Sequence, residues 1–281
     1  DPGKVPGAVV FLNKDGSYQK HQNINFNDGA CYLSLDRENR HILGVSYGNG
    51  RLNVYPLDDN GIPGKAVTTI DEGKREAHCI LLPPDGKNVY IPYVKGNLAI
   101  LQYAYDGNTG KITALKPKEA KPPLGSGPRH MAYHPTLPMV YFSNEQGIGL
   151  SSYRRETDGQ LKVEQDISIL PPGMSKIGLS ASDLLITPDG KFLFAGLRGH
   201  KQDFDRISRY KTLEDGKAEF LGLTEADKTP WGLTLSPDGK FLLVSATTGA
   251  SLTAYRISKE GELKKVASLA WDPRMSDLVT R

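Results

Sequence analysis

The side chains of this sequence with the chemistry to bind and convert a small anion are His78, Arg129, Glu145 and Arg198. Arginine offers two parallel hydrogen bonds to a carboxylate or a phosphate, so a pair of arginines favours an anionic ligand. A carboxylate or a histidine takes up and releases a proton once burial and neighbouring charges have tuned its pKa. Attack of water on an activated ester needs only a base, an acid and a cation that stabilises the oxyanion. A lactone that carries a carboxylate or a phosphate fits this set of groups.

Arg129 and Glu145 belong to one predicted hairpin, residues 125–145. A glycine-proline turn precedes Arg129, the first strand is predicted at 131–133, and the second at 139–143. Two adjacent antiparallel strands place the start of the first beside the end of the second. We therefore expect Arg129 and Glu145 to meet at one end of the hairpin.

The hairpin recurs along the chain with a period of roughly 50 residues. Its turn is a Pro-Asp-Gly sequence at 84–86, 188–190 and 237–239. A third strand rich in aromatic and β-branched residues follows each pair, and then a more polar fourth strand. Four antiparallel strands per repeat are typical of a β-propeller blade. The sequence therefore predicts an all-β fold, a β-propeller of four-stranded antiparallel blades.

The prediction is a single β-propeller domain over residues 1–281, with five full blades and fragments at both ends. Segments 8–12 and 18–25 are predicted as the third and fourth strands of a blade, and 275–281 as a first strand. Both termini usually complete the last blade of a ring, because closure removes the sheet edges. If the ring has six blades, this sequence is short of one strand. If the ring has seven blades, the sequence is short of one strand and one whole blade. We expect seven, with the N-terminal blade incomplete or absent and about 60 residues missing.

Aligning the repeats gives two columns of equivalent positions. The residues that enter the first strand are Cys31, His78, Arg129, Ser182 and Trp231. The residues that leave the second strand are Tyr47, Val94, Glu145, Arg198 and Thr247. First strands line the centre of a propeller, so both columns are expected at one mouth of the central channel, where such folds bind ligands.

Three further residues adjoin this predicted mouth: His130, His200 and Tyr47. His130 follows the first arginine, His200 follows the second by two positions, and Tyr47 stands in the second column. We expect all three to contact the ligand, and packing of Tyr47 at the rim is the alternative for that residue.

Structural alternatives also exist for the four principal residues. His78 suits a buried core histidine, and Arg129 with Glu145 suits a salt bridge within one blade. Arg198 has a possible partner in Asp183. The functional interpretation rests on the coincidence of four ionisable groups in equivalent positions, where the other repeats carry mostly uncharged residues.

The bulk composition excludes several classes of function. Lys and Arg total 35 against 32 Asp and Glu, and this mild net charge of +3 gives no reason to expect nucleic acid or an anionic membrane as a partner. No run approaches 18 apolar residues, so no membrane span is predicted. Cys31 and Cys79 are expected to be buried free thiols. Neither metal-ligand spacing nor a nucleophile elbow is evident, so no metal and no cofactor are expected.

The motifs resemble those of the seven-bladed propeller lactonases, typified by propeller-type 6-phosphogluconolactonase. The matching segments read AHC at 77–79, GSGPRH at 125–130, SNE at 143–145 and RGH at 198–200. The family is also similar to the fungal enzymes that form a lactone from 3-carboxymuconate. The resemblance implies a metal-free site whose catalytic and anion-binding positions fall on the same four residues that the columns select.

The expected activity is hydrolysis of a sugar-acid lactone, 6-phosphogluconolactone or a related aldonolactone. Glu145 is the expected base and His78 its proton-transfer partner, while Arg129 and Arg198 bind the anion and polarise the ring carbonyl. Two alternatives stay open: a cycloisomerase that closes or opens a muconolactone, and a non-catalytic propeller that serves as an interaction platform.

The expected partner is a small anionic lactone, with no nucleic acid and no membrane, and the chain is expected to be a monomer or a weak dimer. The cytoplasm is the expected compartment. The periplasm or secretion stays open, because the true N-terminus is not seen in a sequence that begins at Asp1.

Overall fold

The computed structural model describes residues 5–273, 275 and 277–280. All regular elements of these residues are β-strands, arranged in six antiparallel sheets whose strands follow one another in chain order. The all-β prediction is therefore confirmed. Among the residues described, no helix has the length and apolar character needed to cross a membrane.

The chain divides into two compact units, and the first comprises residues up to Tyr93 together with Leu101–Glu119. Most of the first three sheets belongs to it. Their strands are β1 (Val5–Leu12) and β2 (Tyr18–Phe26); β3 (Tyr32–Leu35), β4 (His41–Val45), β5 (Leu52–Pro56) and β6 (Thr68–Ile70); and β7 (Asn88–Tyr93), β8 (Ala99–Asp106) and β9 (Lys111–Ala120).

The second unit comprises Val94–Ile100 and the chain from Ala120 onward, and it holds three four-stranded sheets. Their strands are β10 (Pro128–Tyr133), β11 (Met139–Asn144), β12 (Gly149–Arg155) and β13 (Leu161–Ser168); β14 (Leu179–Ile186), β15 (Phe192–Gly199), β16 (Arg206–Thr212) and β17 (Ala218–Glu225); and β18 (Pro230–Leu235), β19 (Phe241–Ala246), β20 (Ser251–Ile257) and β21 (Leu263–Ala270).

Burial falls from the first strands of each sheet of the second unit to the last. Every residue of β11 is buried, whereas no residue of β13 or β21 is, and β21 is almost entirely exposed. A core that includes Met139, Tyr141 and Leu193 fills the space between the sheet of β10 and the sheet of β14. The first strands β10, β14 and β18 lie side by side, so the residues that enter them are brought together.

A β-bulge interrupts each of these three first strands at its entry. In β10 the register shifts between Pro128 and Met131, so Arg129 and His130 together oppose a single residue of β11. The same shift occurs in β14 between Ala181 and Leu184, and in β18 at Trp231. A bulge re-aims the side chains of its extra residues. The bulges therefore turn the entry residues of three neighbouring strands out of the regular pleat.

A left-handed backbone conformation precedes two of these bulges. Gly127 and Thr229 both have φ of 62°, two positions before Arg129 and Trp231 respectively. Glycine adopts this conformation without cost, but a β-branched residue there is strained by about 1–3 kcal/mol. The backbone nitrogen of Thr229 donates to Asp205 Oδ1 at 2.8 Å, which helps to hold the strained conformation.

The repeat pattern also predicts a first strand at 79–82, before the turn at 84–86, but the structure has no regular strand there. Only isolated bridges join this segment to its neighbour, at Ala77 with Tyr93 and at Leu81 with Tyr90. The nitrogen of His78 donates to the carbonyl oxygen of Pro92 at 3.1 Å, but proline has no N–H with which to complete the pair. A missing ladder bond thus explains the difference from the prediction.

The first strand predicted at 275–281 is also wrong for the residues described, since Met275 and residues 277–280 form no strand. Residues 276 and 281 lie outside the described part. This segment contacts β18 through a side chain instead of through paired backbone groups: Thr280 Oγ1 donates to the carbonyl oxygen of Leu235 at 2.6 Å.

The prediction that both cysteines are buried holds only for Cys79. Cys31 is a free thiol as well, but it is exposed at the entry to β3. Its Sγ still donates to the carbonyl oxygen of Ala77 at 3.2 Å.

Candidate active site

Two buried guanidinium groups share one carboxylate in the second unit. Arg129 comes from the bulge of β10, Arg198 from β15, and Glu145 follows directly on β11. The two arginine side chains are only 1% and 3% exposed. Arg198 Nη2 donates to Glu145 Oε1 at 2.8 Å, and Arg129 Nε lies 3.8 Å from the same oxygen. The structure therefore brings together three of the four residues selected from the sequence.

Backbone and side-chain contacts hold Glu145 between the arginines. Its backbone nitrogen donates to the carbonyl oxygen of Gly127 at 2.7 Å, and its second oxygen, Oε2, accepts from Gln146 Nε2 at 3.1 Å. Arg198 Nη2 also donates to the carbonyl oxygen of Ala181 at 2.9 Å. Both carboxylate oxygens are thus engaged, and neither the carboxylate nor the guanidinium of Arg198 moves without breaking these contacts.

The side chains of Arg129, Arg198 and Glu145 together carry two positive charges and one negative charge. Burial, followed by repulsion from Arg129, lowers the pKa of Arg198 to about 10, so this group remains protonated at neutral pH. Burying charged groups is costly, and an anionic ligand beside the two guanidinium groups would offset part of that cost. The same groups would stabilise a carbonyl oxygen that becomes negative during a reaction.

Trp231 lies over both guanidinium groups. Its ring centroid is 4.5 Å from the Cζ atom of Arg198 and 5.6 Å from that of Arg129. Such contacts contribute about 0.5–1 kcal/mol at exposed sites and about 2 when the cation is desolvated. Trp231 is one of the entry-column residues, but nothing in the sequence indicated this stacking role.

We expect Trp231→Leu to raise the dissociation constant of an anion at this site about tenfold, because both guanidinium groups lose their aromatic platform. Titration of the product acid, followed by calorimetry, measures this constant. Trp231→Phe should show a smaller change. The matched control is Trp271→Leu, whose ring is 52% exposed, and equal affinities for the two leucine variants would contradict the stacking role.

His130, the second residue of the β10 bulge, pairs with Asp183 of the β14 bulge. His130 Nδ1 lies 2.6 Å from Asp183 Oδ1. Asp183 also accepts the backbone N–H groups of Leu184 and Leu233, each at 2.8 Å. Burial, and then the charge of Arg129, lowers the pKa of His130. Asp183 is therefore the partner of His130, whereas the sequence had suggested it as an alternative partner for Arg198.

His200 is exposed and lies directly after β15, the strand that carries Arg198. Its Nε2 lies 2.7 Å from Ser180 Oγ on β14. Partial desolvation, followed by repulsion from Arg198, lowers the pKa of His200, while Glu145 opposes this shift. The charges of Arg198 and Glu145 therefore both act on His200.

His78 and Tyr47 lie in the first unit and contact each other. Their ring centroids are 5.5 Å apart in an edge-to-face arrangement with an interplanar angle of 79°. Both side chains are half-buried. The second unit thus contains Arg129, His130, Glu145, Arg198 and His200, and the first contains the other two predicted site residues.

The donor set of this site is not that of a metal centre. Within the described part of the chain, no group of three or more His, Cys, Asp or Glu side chains is arranged to hold a metal ion. The expectation that the site uses no metal or cofactor stays a prediction.

Comparison with known proteins agrees with this architecture. The family model described as "Lactonase, 7-bladed beta-propeller" matches residues 7–274. The 6-phosphogluconolactonase of Klebsiella pneumoniae subsp. pneumoniae is 29% identical over 282 residues, which cover 92% of this chain and 82% of that relative. The 6-phosphogluconolactonase of Pectobacterium carotovorum subsp. carotovorum is 29% identical over 243 residues, covering 85% and 70%.

Solved structures share the fold. The periplasmic gluconolactonase of Pseudomonas aeruginosa superposes with a TM-score of 0.81 at 20% identity, covering 95% of this chain and 78% of that one. A protein from Lactobacillus plantarum superposes with a TM-score of 0.84 at 16% identity, covering 99% and 82%. The fold is thus that of the β-propellers, as predicted. From the match of the family model over most of its length, the chain belongs to the lactonase family of seven-bladed β-propellers.

Proposed function

We propose that this protein hydrolyses a sugar-acid lactone, either 6-phosphogluconolactone or a related aldonolactone. The observation that carries the proposal is the buried pair of guanidinium groups around a single carboxylate, in a chain of the lactonase family. Relatives named 6-phosphogluconolactonase support this substrate class. The phosphorylated lactone is a small anion, and the hydrolysis of either lactone develops negative charge on the carbonyl oxygen.

The two arginines supply the electrostatic part of the reaction. Arg129 and Arg198 polarise the ring carbonyl and stabilise the oxyanion that forms when water attacks it. Because their positions are fixed by Glu145 and Trp231 before the substrate arrives, little reorganisation is needed during the reaction. The bond between carbonyl carbon and ring oxygen then breaks, and the ring oxygen takes a proton.

In the sequence-based assignment Glu145 takes the proton of the water and His78 transfers a proton to the leaving oxygen, and this assignment stays a prediction. We also keep His130, His200 and Tyr47 as proposed contacts of the substrate. The lowered pKa of both His130 and His200 keeps these two imidazoles neutral at pH 7, so they act as hydrogen-bonding groups there.

No specific observation favours the cycloisomerase or the interaction platform. We further propose that the protein acts in the cytoplasm as a monomer or weak dimer, with neither nucleic acid nor a membrane as partner. A phosphorylated lactone does not cross a membrane unaided, which supports this compartment.

The test is the rate of acid release from 6-phosphogluconolactone and from glucono-1,5-lactone, after subtraction of spontaneous hydrolysis. We expect kcat/KM of at least about 10⁴ M⁻¹s⁻¹ for one of them. A rate equal to that in buffer for both lactones would overturn the proposal. A change in the absorbance of a carboxymuconate, without lactone hydrolysis, would instead identify a cycloisomerase.

A further inference from the structure

A cavity of about 490 Å³ lies in the second unit, where β15 ends and β18 begins. We call it the side cavity, and its lining consists of residues 199–203, 205, 228, 229 and 248. Its volume falls within the range of pockets that bind small molecules, about 300–1,000 Å³. Apart from His200, none of its lining residues belongs to the site already described.

The side cavity is close to the arginine pair. Gly199 and His200 follow Arg198 directly, and Thr229 precedes Trp231 by two positions. Because successive Cα atoms are about 3.8 Å apart, the Cα atoms of these lining residues lie within about 8 Å of that of Arg198 or of Trp231. The side chain of Arg198 itself reaches β18, since its Cζ atom is 4.5 Å from the ring centroid of Trp231. A six-carbon lactone whose carbonyl oxygen meets Arg198 therefore has its far end within reach of the side cavity.

Asp205 holds the two strand ends together and has one oxygen left for a ligand. The residue is only 5% exposed. Its Oδ1 accepts the backbone N–H of Gly199 at 2.9 Å and that of Thr229 at 2.8 Å. Its second oxygen, Oδ2, has no hydrogen-bond partner in the part of the chain that the structure describes. Carboxylate oxygens are strong acceptors, so Oδ2 suits a hydroxyl group of a ligand in the cavity that Asp205 lines.

Two lysines line the side cavity from different segments of the chain. Lys201 follows β15, and Lys228 precedes β18. Among the described residues, neither lysine has an acidic partner within ion-pair distance. A second cavity, at the opposite ends of the same two sheets, is lined by Lys191 and Lys240, and each of these pairs with a nearby aspartate, at 3.3 and 3.2 Å respectively. The two ammonium groups of the side cavity are therefore available to an anion such as phosphate.

Hydrogen bonds fix the walls of the side cavity. Gln202 Nε2 donates to the carbonyl oxygens of Ser175 at 2.9 Å and Ile177 at 2.7 Å, in the segment that leads into β14. On the other wall, Thr229 Oγ1 donates to Thr248 Oγ1 at 2.9 Å. A wall that is ordered before the ligand arrives reduces the entropic cost of binding.

We propose that the side cavity receives the far end of the lactone and selects a phosphorylated substrate. Lys201 and Lys228 bind a phosphate on the sixth carbon, which carries about two negative charges at pH 7, and Asp205 Oδ2 accepts a hydroxyl group of the sugar. This inference rests on the proposed lactone hydrolysis, in which the arginine pair meets the carbonyl group. The three residues determine specificity and take no part in breaking the ester bond. Of the two candidate lactones, 6-phosphogluconolactone is then the preferred substrate.

The experiment compares kcat/KM for 6-phosphogluconolactone with kcat/KM for glucono-1,5-lactone in the wild type and in the double variant Lys201→Gln with Lys228→Gln. The wild type should prefer the phosphorylated lactone. In the double variant this preference should fall about 10²-fold, because each charge-assisted contact contributes about tenfold. Its kcat/KM for glucono-1,5-lactone should change less than about twofold, since both lysines are exposed and contact only the phosphate.

The matched control is Lys191→Gln with Lys240→Gln, which removes the same charges from the cavity at the opposite ends of the sheets. Its preference should equal that of the wild type. Titration of 6-phosphogluconate and of gluconate, followed by calorimetry, should rank the variants in the same order, because both products lack the reacting ester.

Asp205→Asn tests the hydroxyl contact. The amide oxygen of asparagine still accepts both backbone N–H groups, but an NH₂ group replaces the acceptor Oδ2. We expect kcat/KM for glucono-1,5-lactone to fall about tenfold, the loss of a hydrogen bond to a charged group. Asp203→Asn is the control, because Asp203 lines the same cavity but is exposed. Equal rates for these two variants would refute the part assigned to Asp205.

The outcomes separate this inference from the proposed function. An active wild type without a preference for the phosphorylated lactone, or with the same preference in the double variant of Lys201 and Lys228, would overturn this inference alone. A wild type inactive on both lactones would overturn the proposed function and this inference with it.

Discussion

Arg198→Gln is expected to lower kcat/KM for the lactone by about 10²–10³-fold, the effect of removing one donor from an oxyanion site. The guanidinium of Arg198 is held 2.8 Å from Glu145 and against the ring of Trp231. In the proposed reaction this fixed cation stabilises the negative charge that develops on the carbonyl oxygen. Stability should not fall in parallel. Removal of one of two buried cations leaves Arg129 and Glu145 as a balanced pair.

Three measurements check this expectation: steady-state kinetics, the midpoint of thermal unfolding and the response to Arg198→Lys. Lysine keeps the charge but lacks the planar fork and the stacking surface, so we expect only partial activity. Arg256→Gln is the matched control, since Arg256 also stacks on an aromatic ring, that of Phe241, but at an exposed position. An Arg198→Gln variant as active as this control would show that the guanidinium has no part in the reaction.

Glu145→Gln is expected to have the largest effect on stability. It leaves two buried guanidinium groups without their carboxylate, and loss of one partner of a buried ion pair typically costs about 3–5 kcal/mol of the free energy of unfolding. Urea unfolding measures this loss. The double variant Glu145→Gln with Arg198→Gln should be more stable than Glu145→Gln alone, because it removes one of the uncompensated cations.

Added anions provide a second measure of the same effect. Phosphate should restore part of the stability of Glu145→Gln, since a ligand at concentration c that binds only the folded state stabilises it by RT ln(1 + c/Kd), which rises with the logarithm of its concentration above the dissociation constant. Glu164→Gln is the control. Its partner Arg154 lies at 3.1 Å but is 36% exposed, so the loss there should stay below about 1 kcal/mol. Equal losses for the two variants would contradict the view that Glu145 neutralises buried charge.

The repeats made the arginine cluster predictable. Arg129, Glu145 and Arg198 are far apart along the chain, but each occupies an equivalent position in a recurring hairpin, and the structure joins them within 4 Å. The second strand predicted at 139–143 is Met139–Asn144 in the structure, because its continuous apolar run is fully buried. The residues of a turn and a continuous apolar run can both be recognised in a short stretch of sequence, which explains this agreement.

The bulges were not predictable, because a register shift depends on which backbone groups pair and not on residue type. As a result, the sequence did not show that His130 would lie beside Asp183, nor that Trp231 would cover both arginines. The irregular first strand near His78 has a similar origin, since the deciding residue, Pro92, lies on its neighbour. Long-range pairing, rather than local preference, determines these details.

The central claim is that Arg129 and Arg198 together receive the negative charge of the substrate. The most direct measurement is a crystal structure with the product acid, 6-phosphogluconate, bound to the protein. We predict that its carboxylate oxygens lie within about 3 Å of both guanidinium groups. A product bound away from these two side chains, with Glu145 still in contact with both, would contradict the account.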